Sequence, residues 1–211
     1  MKTNTSFKLL TLALALGLGA TARADSTLLP SEQPAALPAD SQGLLGQVYG
    51  TLTYSYINLD NTSTHLDSYD FEINQPLSFG LDGFIGYNYA HGSGLRSNTI
   101  DTGLRAFSTH YNWGKPYVEA GAGYTWVRAS GAKDNSFVWE AAAGVEFQVA
   151  PRATVTPFVQ YTDAPDLAGG SKTNFGAKAN YWIDAQWSVT AGLARDDSYN
   201  TAFTVGTHFR F

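Results

Sequence analysis

From Gly46 onward, apolar and polar positions alternate with a period of two, the pattern of strands whose successive side chains point to opposite faces. The pattern is clearest from Tyr69, where Tyr69, Phe71, Ile73, Gln75, Leu77 and Phe79 fall on one parity and Asp70, Glu72, Asn74 and Ser78 on the other. The last residues repeat it, with Phe203, Val205, Thr207, Phe209 and Phe211 opposite Ala202, Thr204, Gly206, His208 and Arg210. Between them, further segments centre on Leu52, Tyr87, Ile100, Ala120, Ala143, Val159, Ala177 and Val189. These ten segments predict ten strands of about nine to twelve residues, the length a tilted strand needs to cross a bilayer. Eight stays open as a count, because the third, seventh and ninth segments are short or irregular and Pro157 interrupts the seventh.

The connections predict the course of the chain. Polar stretches at 60–68, 91–98, 128–136, 164–172 and 196–200 read as long loops. Leu81-Asp82-Gly83, Asn112 to Lys115, Pro151-Arg152 and Asp184-Ala185 read as short turns. Aromatic residues gather near the strand ends. Tyr54, Tyr56, Tyr69, Tyr89, Trp126, Phe137, Trp139 and Tyr161 lie toward the loops, and Trp113, Phe147, Tyr181, Trp187, Phe209 and Phe211 toward the turns. Two aromatic belts are what a membrane interface selects. A soluble lipocalin-like barrel or sandwich is the alternative, and it would place the apolar parity inside.

The start of the chain is different. Residues 1–24 have a basic start at Lys2 and Lys8, a short apolar run from Leu9 to Ala20 and a small-x-small end at Ala22-Arg23-Ala24, as in an export signal. Residues 25–45, with Pro30, Pro34 and Pro38, read as a linker too poor in apolar surface to fold alone. Without Lys2, Lys8 and Arg23, the trimmed chain carries ten bases against eighteen acids, a formal −8, which argues against nucleic-acid binding. The chain has no cysteine, which removes disulfides and thiolate chemistry. Aromatics at 14% beside charged residues at 15% give membrane affinity without membrane helices, and the closed all-β barrel is the fold that permits it.

The signal, the alternation and the terminal Phe211 together resemble the small outer-membrane β-barrel proteins of bacteria with two membranes. The resemblance covers 46–211. It implies an antiparallel transmembrane barrel embedded in outer-membrane lipid, with Phe209 and Phe211 as the insertion signal read by the barrel-insertion machinery. For activity it is weak, because such barrels include narrow channels, adhesins, anchors and a few enzymes.

The polar parity carries the candidate chemistry. It would line a lumen with Asp70, Glu72, Asp101, Glu119, Glu140 and Glu146 against Arg105, Lys178 and Arg210. Arg105 and Glu119 sit on strands joined by a short connection and are expected to be neighbours. Six acids cannot pair one to one with three bases, which favours a narrow, cation-preferring pore or passive conduit for small ions or solutes. The competing reading is a closed-lumen structural or surface-interaction barrel, its charges a buried salt-bridge network. An enzyme is the minority reading: His65, Asp67, Asp70, His91 and Asp101 near the rim match no catalytic spacing of known barrel enzymes. The four scattered histidines predict no metal cluster, and no cofactor motif is present.

Overall fold

The structure, a computed structural model, describes residues 43–60, 64–129, 131–167 and 170–211. The export signal expected at 1–24 and most of the Pro-rich stretch at 25–45 lie outside the described residues. The strands are β1 (Tyr49–Asn58), β2 (His65–Ser78), β3 (Leu81–Gly92), β4 (Leu95–Phe107), β5 (Lys115–Ala129), β6 (Ala132–Ala150), β7 (Ala153–Asp163), β8 (Ser171–Trp182), β9 (Trp187–Asp196) and β10 (Thr201–Arg210). Each pairs antiparallel with its neighbours in sequence, and β1 pairs with β10 to close the barrel. Among the described residues there are ten strands, and the third, seventh and ninth are as regular as the others.

The apolar parity faces out. Leu52, Phe71, Ile85, Leu104, Val118, Phe175 and Phe203 are all exposed around the circumference. The polar parity faces in, so that Glu72, Asn74, Arg105, Thr125 and Thr156 are buried. This inverts a soluble barrel and excludes the lipocalin-like alternative: the outer wall requires an apolar solvent. The aromatic belts are in place as packed rings, with Trp187–Phe209 centroids 4.7 Å and Trp139–Tyr161 centroids 5.2 Å apart.

The connections correct the sequence reading in three places. The turn expected at Leu81-Asp82-Gly83 lies at Phe79–Gly80, where Gly80 takes a φ of 76°, and Asp82 is instead a buried residue of β3. The expected loops at 91–98 and 128–136 are mostly strand. β3 and β4 meet in a tight hairpin at Ser93–Gly94, and β5 and β6 continue in register to Ala129↔Ala132. Their outward residues, such as Arg96, Arg128, Lys133 and Asn135, are polar, while Leu95 and Val127 face inward, so backbone pairing continues although the membrane-type alternation stops. Conversely, the connection 108–114 between β4 and β5 is longer than the β3–β4 and β5–β6 hairpins at the loop end. Long and short connections therefore do not alternate around the barrel. β6, with 19 residues, is the longest strand, well beyond the ~9–11 residues a crossing needs. The hairpins of β3–β6 thus rise above the outer wall. Pro157 is tolerated because the β6–β7 register passes from Gly144↔Phe158 to Phe147↔Val155 with no pair across it.

Candidate functional site: the barrel lumen

The inner wall is layered along the barrel axis. At the loop end, Ile57, Leu59, Leu66, Leu95, Val127, Val138 and Ala202 form a buried apolar cluster inside the mouth, joined by Ala164 and Leu167 of the β7–β8 connection. That connection is held over the mouth by Ser136, whose hydroxyl accepts from the Asp166 backbone N–H at 3.3 Å. At the turn end, Leu44, Tyr49 and Trp182 form a second apolar cluster. Here the residues just before β1 fold against the barrel opening. The Gly46 N–H donates to Asp82 Oδ2 at 2.8 Å, the Asn74 side chain donates to Gln47 O at 2.9 Å, and Arg210 donates to Gly43 O at 3.3 Å. Leu44 and Leu45, read from sequence as the end of a linker, are buried.

Between the two layers lie the charges. Every residue expected on the lumen wall points inward: Asp70, Glu72, Asp101, Arg105, Glu119, Glu140, Glu146 and Lys178 are buried, and Arg210 is half-buried at the turn end. Arg105 and Glu119 are direct cross-strand partners. Arg105 Nε donates to Glu119 Oε2 at 2.6 Å, Nη2 pairs with the same oxygen, and Nη1 donates to Tyr49 OH at 3.3 Å. Its guanidinium lies 5.4 Å from the Phe84 ring centre and 5.9 Å from that of Tyr117. The other charges are spread around the wall. Gln160 donates to Glu140 at 2.6 Å, Lys115 reaches Glu146 at 3.9 Å, Lys178 lies over Phe158, and Arg210 lies over Trp182.

Sequence reasoning missed several inner residues. Asp82 was assigned to a turn on its Asp-Gly dipeptide. Phe84, Tyr117, Phe158 and Trp182 are apolar or aromatic residues on the polar parity, and their signal is the glycine across from each of the first three. Phe84 is paired with Gly103, Tyr117 with Gly144 and Phe158 with Gly176. Asp101 lies opposite both Gly86 and Gly123, and Glu140 opposite Gly121. A Cβ on Gly103 would stand 2.4 Å from Phe84 Cζ, and one on Gly121 2.9 Å from Glu140 Oε1. The inner glycines thus accommodate large neighbours lying across them, and that space is filled by protein.

The rim residues weighed for catalysis divide between the two faces. Asp70 and Asp101 point into the lumen, whereas His65, Asp67 and His91 lie on the outer surface. There Asp67 accepts from Tyr54 OH at 2.6 Å and lies 3.9 Å from His65, and His91 packs beside Tyr69 and Tyr89. Phe209 packs on Trp187 and edge-on to the exposed Phe211, whose N–H donates to Val48 O at 3.2 Å.

No family model and no curated protein matches the chain. Among solved structures, an outer membrane channel from Pseudomonas putida F1 superposes with a TM-score of 0.50 at 13% identity, covering 88% of this chain and all of that one. The β domain of the Bordetella autotransporter BrkA gives 0.48 at 13% identity over 79% of this chain and 100% of that chain. Neisserial surface protein A gives 0.45 at 11% identity over 78% and 96%. The shared feature is architecture: this chain has the fold of outer-membrane β-barrels.

Proposed function

We propose that the protein sits in the bacterial outer membrane as a narrow, cation-preferring conduit that rests closed. The observation that carries this reading is the middle of the inner wall, where Asp70, Glu72, Asp82, Asp101, Glu119, Glu140 and Glu146 are enclosed with Arg105 and Lys178. An enclosed acidic surplus attracts cations and repels anions. The apolar layer of Ile57, Leu66, Leu95, Val127, Val138 and Leu167 supplies the resting closure, since a hydrophobic constriction stops ions by excluding water. The exposed Phe211 beside Phe209 suits recognition by the insertion machinery. No catalytic step belongs to this reading.

A second reading, a closed structural barrel, is favoured by the side chains that fill the space over the inner glycines. Planar-bilayer conductance separates the two. The wild type is expected to give brief, cation-selective openings. Replacing Leu66 and Val138 by Ser should wet the outer layer and raise the open fraction severalfold, and adding Asp101→Asn should reduce the preference for cations. A silent Leu66→Ser/Val138→Ser variant that still shows heat-modifiable migration would transfer the weight to the structural barrel.

A further inference from the structure

The outer surface carries a feature that the lumen does not explain. On the raised hairpins, His91, Arg96, Arg128 and Lys133 stand in one row across four adjacent strands, each directly opposite the next (His91↔Arg96, Arg96↔Arg128, Arg128↔Lys133). Arg96, Arg128 and Lys133 are exposed, and among the described residues no carboxylate forms an ion pair with any of them. Asp67 continues the row beyond His91 but is engaged by Tyr54. Like charges directly opposite one another destabilise a sheet, so the row has a cost that an anion would relieve. Strands lie about 4.8 Å apart, which makes the row roughly 14 Å long.

What lies beneath the row selects the kind of anion. One level toward the membrane come Tyr89, Asn98, Trp126 and Asn135, and below them Tyr87, Ile100, Tyr124 and Phe137. The row therefore sits where the headgroups of the leaflet facing the loops would be, directly above an aromatic belt and an apolar wall. A concavity of ≈ 570 Å³ includes all four basic residues in its lining, and a neighbouring one of ≈ 490 Å³ joins Arg96, Arg128 and Lys133 to Tyr89, Trp126 and one carboxylate, Asp134. Guanidinium groups bind phosphate in bidentate fashion.

We infer that the outer face of β3–β6 is a binding site for a phosphorylated lipid of the loop-side leaflet, with Arg96, Arg128 and Lys133 on its phosphates and its acyl chains along the column from Trp126 to Phe137. The inference rests on the barrel's orientation in the membrane and does not depend on conduction.

The test uses the full chain in detergent, with lipid A carrying two phosphates as the probe and native mass spectrometry as the readout. The wild type is expected to retain one lipid A, and retention should fall as salt is raised. An R96Q/R128Q/K133Q variant should bind at least tenfold more weakly. R195Q, which removes an exposed cation packed on Tyr199 elsewhere on the surface, should bind as the wild type does. Dephosphorylated lipid A should be retained no better by the wild type than by the triple variant, and inorganic phosphate should not displace the lipid at millimolar concentration. Heat-modifiable migration establishes that each variant is folded, and single substitutions serve if the triple is not. Equal retention of lipid A by the wild type and the substituted barrels, or of the lipid with and without phosphates, overturns the proposal. Displacement by phosphate alone points to a soluble anion and overturns the lipid assignment.

Discussion

The two halves of the inner wall share a fold and an alternation but are held by different forces. On β2–β6 the buried side chains include seven carboxylates, Arg105 and the rings of Phe84 and Tyr117 lying over glycines, beside neutral groups such as Asn74, Thr99 and Thr125. On β7–β10 and β1 they are mainly neutral: Thr154, Thr156, Gln160, Asn174, Asn180, Ser188, Thr190, Thr204 and His208, with Thr51, Thr53 and Ser55. There short hydroxyl contacts such as Ser55–Thr204 and Thr51–His208, both 2.8 Å, link β1 to β10. A strand only has to present something polar and well fitted on its inner face. Whether that is an ion pair or a hydroxyl pair sets how sharply the barrel responds to substitution.

The largest expected response is at the ion pair. Glu119→Gln leaves the Arg105 guanidinium, itself 0% exposed, without the partner that holds its Nε and Nη2. Removing one member of a buried pair costs about 3–5 kcal/mol, most of it from the stranded charge. Urea unfolding from lipid vesicles should register this. The Glu119→Gln/Arg105→Gln double variant should lose less than the two singles together. Additive losses would mean that the carboxylates on neighbouring strands, not Glu119, balance Arg105, and the contrast between the halves would become one of fields instead of pairs.

Glycine gives a smaller and sharper comparison. A Cβ on Gly144 would meet Tyr117 Cε1 and Cζ at 2.7 Å and the Pro157 carbonyl oxygen at 2.7 Å. On the other half, one on Gly192 would meet first the Lys178 side chain, Cγ at 3.0 Å, which can swing aside. Replacing Gly by Ala gains about 0.4–1 kcal/mol from the unfolded chain where the site accepts it, and overpacking costs about 1–3 kcal/mol where it does not. Gly144→Ala should therefore destabilise, and Gly192→Ala should be neutral or slightly stabilising. Equal losses at both sites would show that the halves are equally tightly filled.

Much of this architecture is legible in the sequence. Alternation identified the strands and which residues share a face, because a two-residue period fixes that, and the aromatic belts with the low charge content pointed to the inside-out sense. Alternation also put Arg105 and Glu119 on one face of adjacent strands, and the register brings them opposite each other although their connection, 108–114, is longer than a tight turn. What escaped lay where that period is silent. The raised hairpins carry polar residues on their outer face, so Arg96, Arg128 and Lys133 read as loop residues although they sit on paired strands. Asp82 was hidden by its Asp-Gly dipeptide, whereas the turn forms three residues earlier, at Phe79–Gly80. The apolar layer of Leu66, Leu95, Val127 and Val138 sits on the polar parity, and only closure of the barrel brings these separate residues into one cluster.

The smallest expected effect tests the neutral half on its own terms. Ser55 and Thr204 are direct partners across the β1–β10 seam, with their hydroxyls 2.8 Å apart and both residues buried. A neutral hydrogen bond contributes about 0.5–1.5 kcal/mol net, and a hydroxyl left alone in a buried site costs about 1–3 kcal/mol. Ser55→Ala should thus lower stability by about 1 kcal/mol, because Thr204 loses its partner but carries no charge to strand. Thr204→Val, which keeps the shape of the side chain, should do about the same, and Ser55→Ala with Thr204→Val should recover part of the loss because neither hydroxyl is then orphaned. Unfolding of the three variants in lipid vesicles reads the difference directly. A loss at Ser55 as large as that at Glu119 would mean that closure of the seam, and not charge, governs the stability of the whole inner wall.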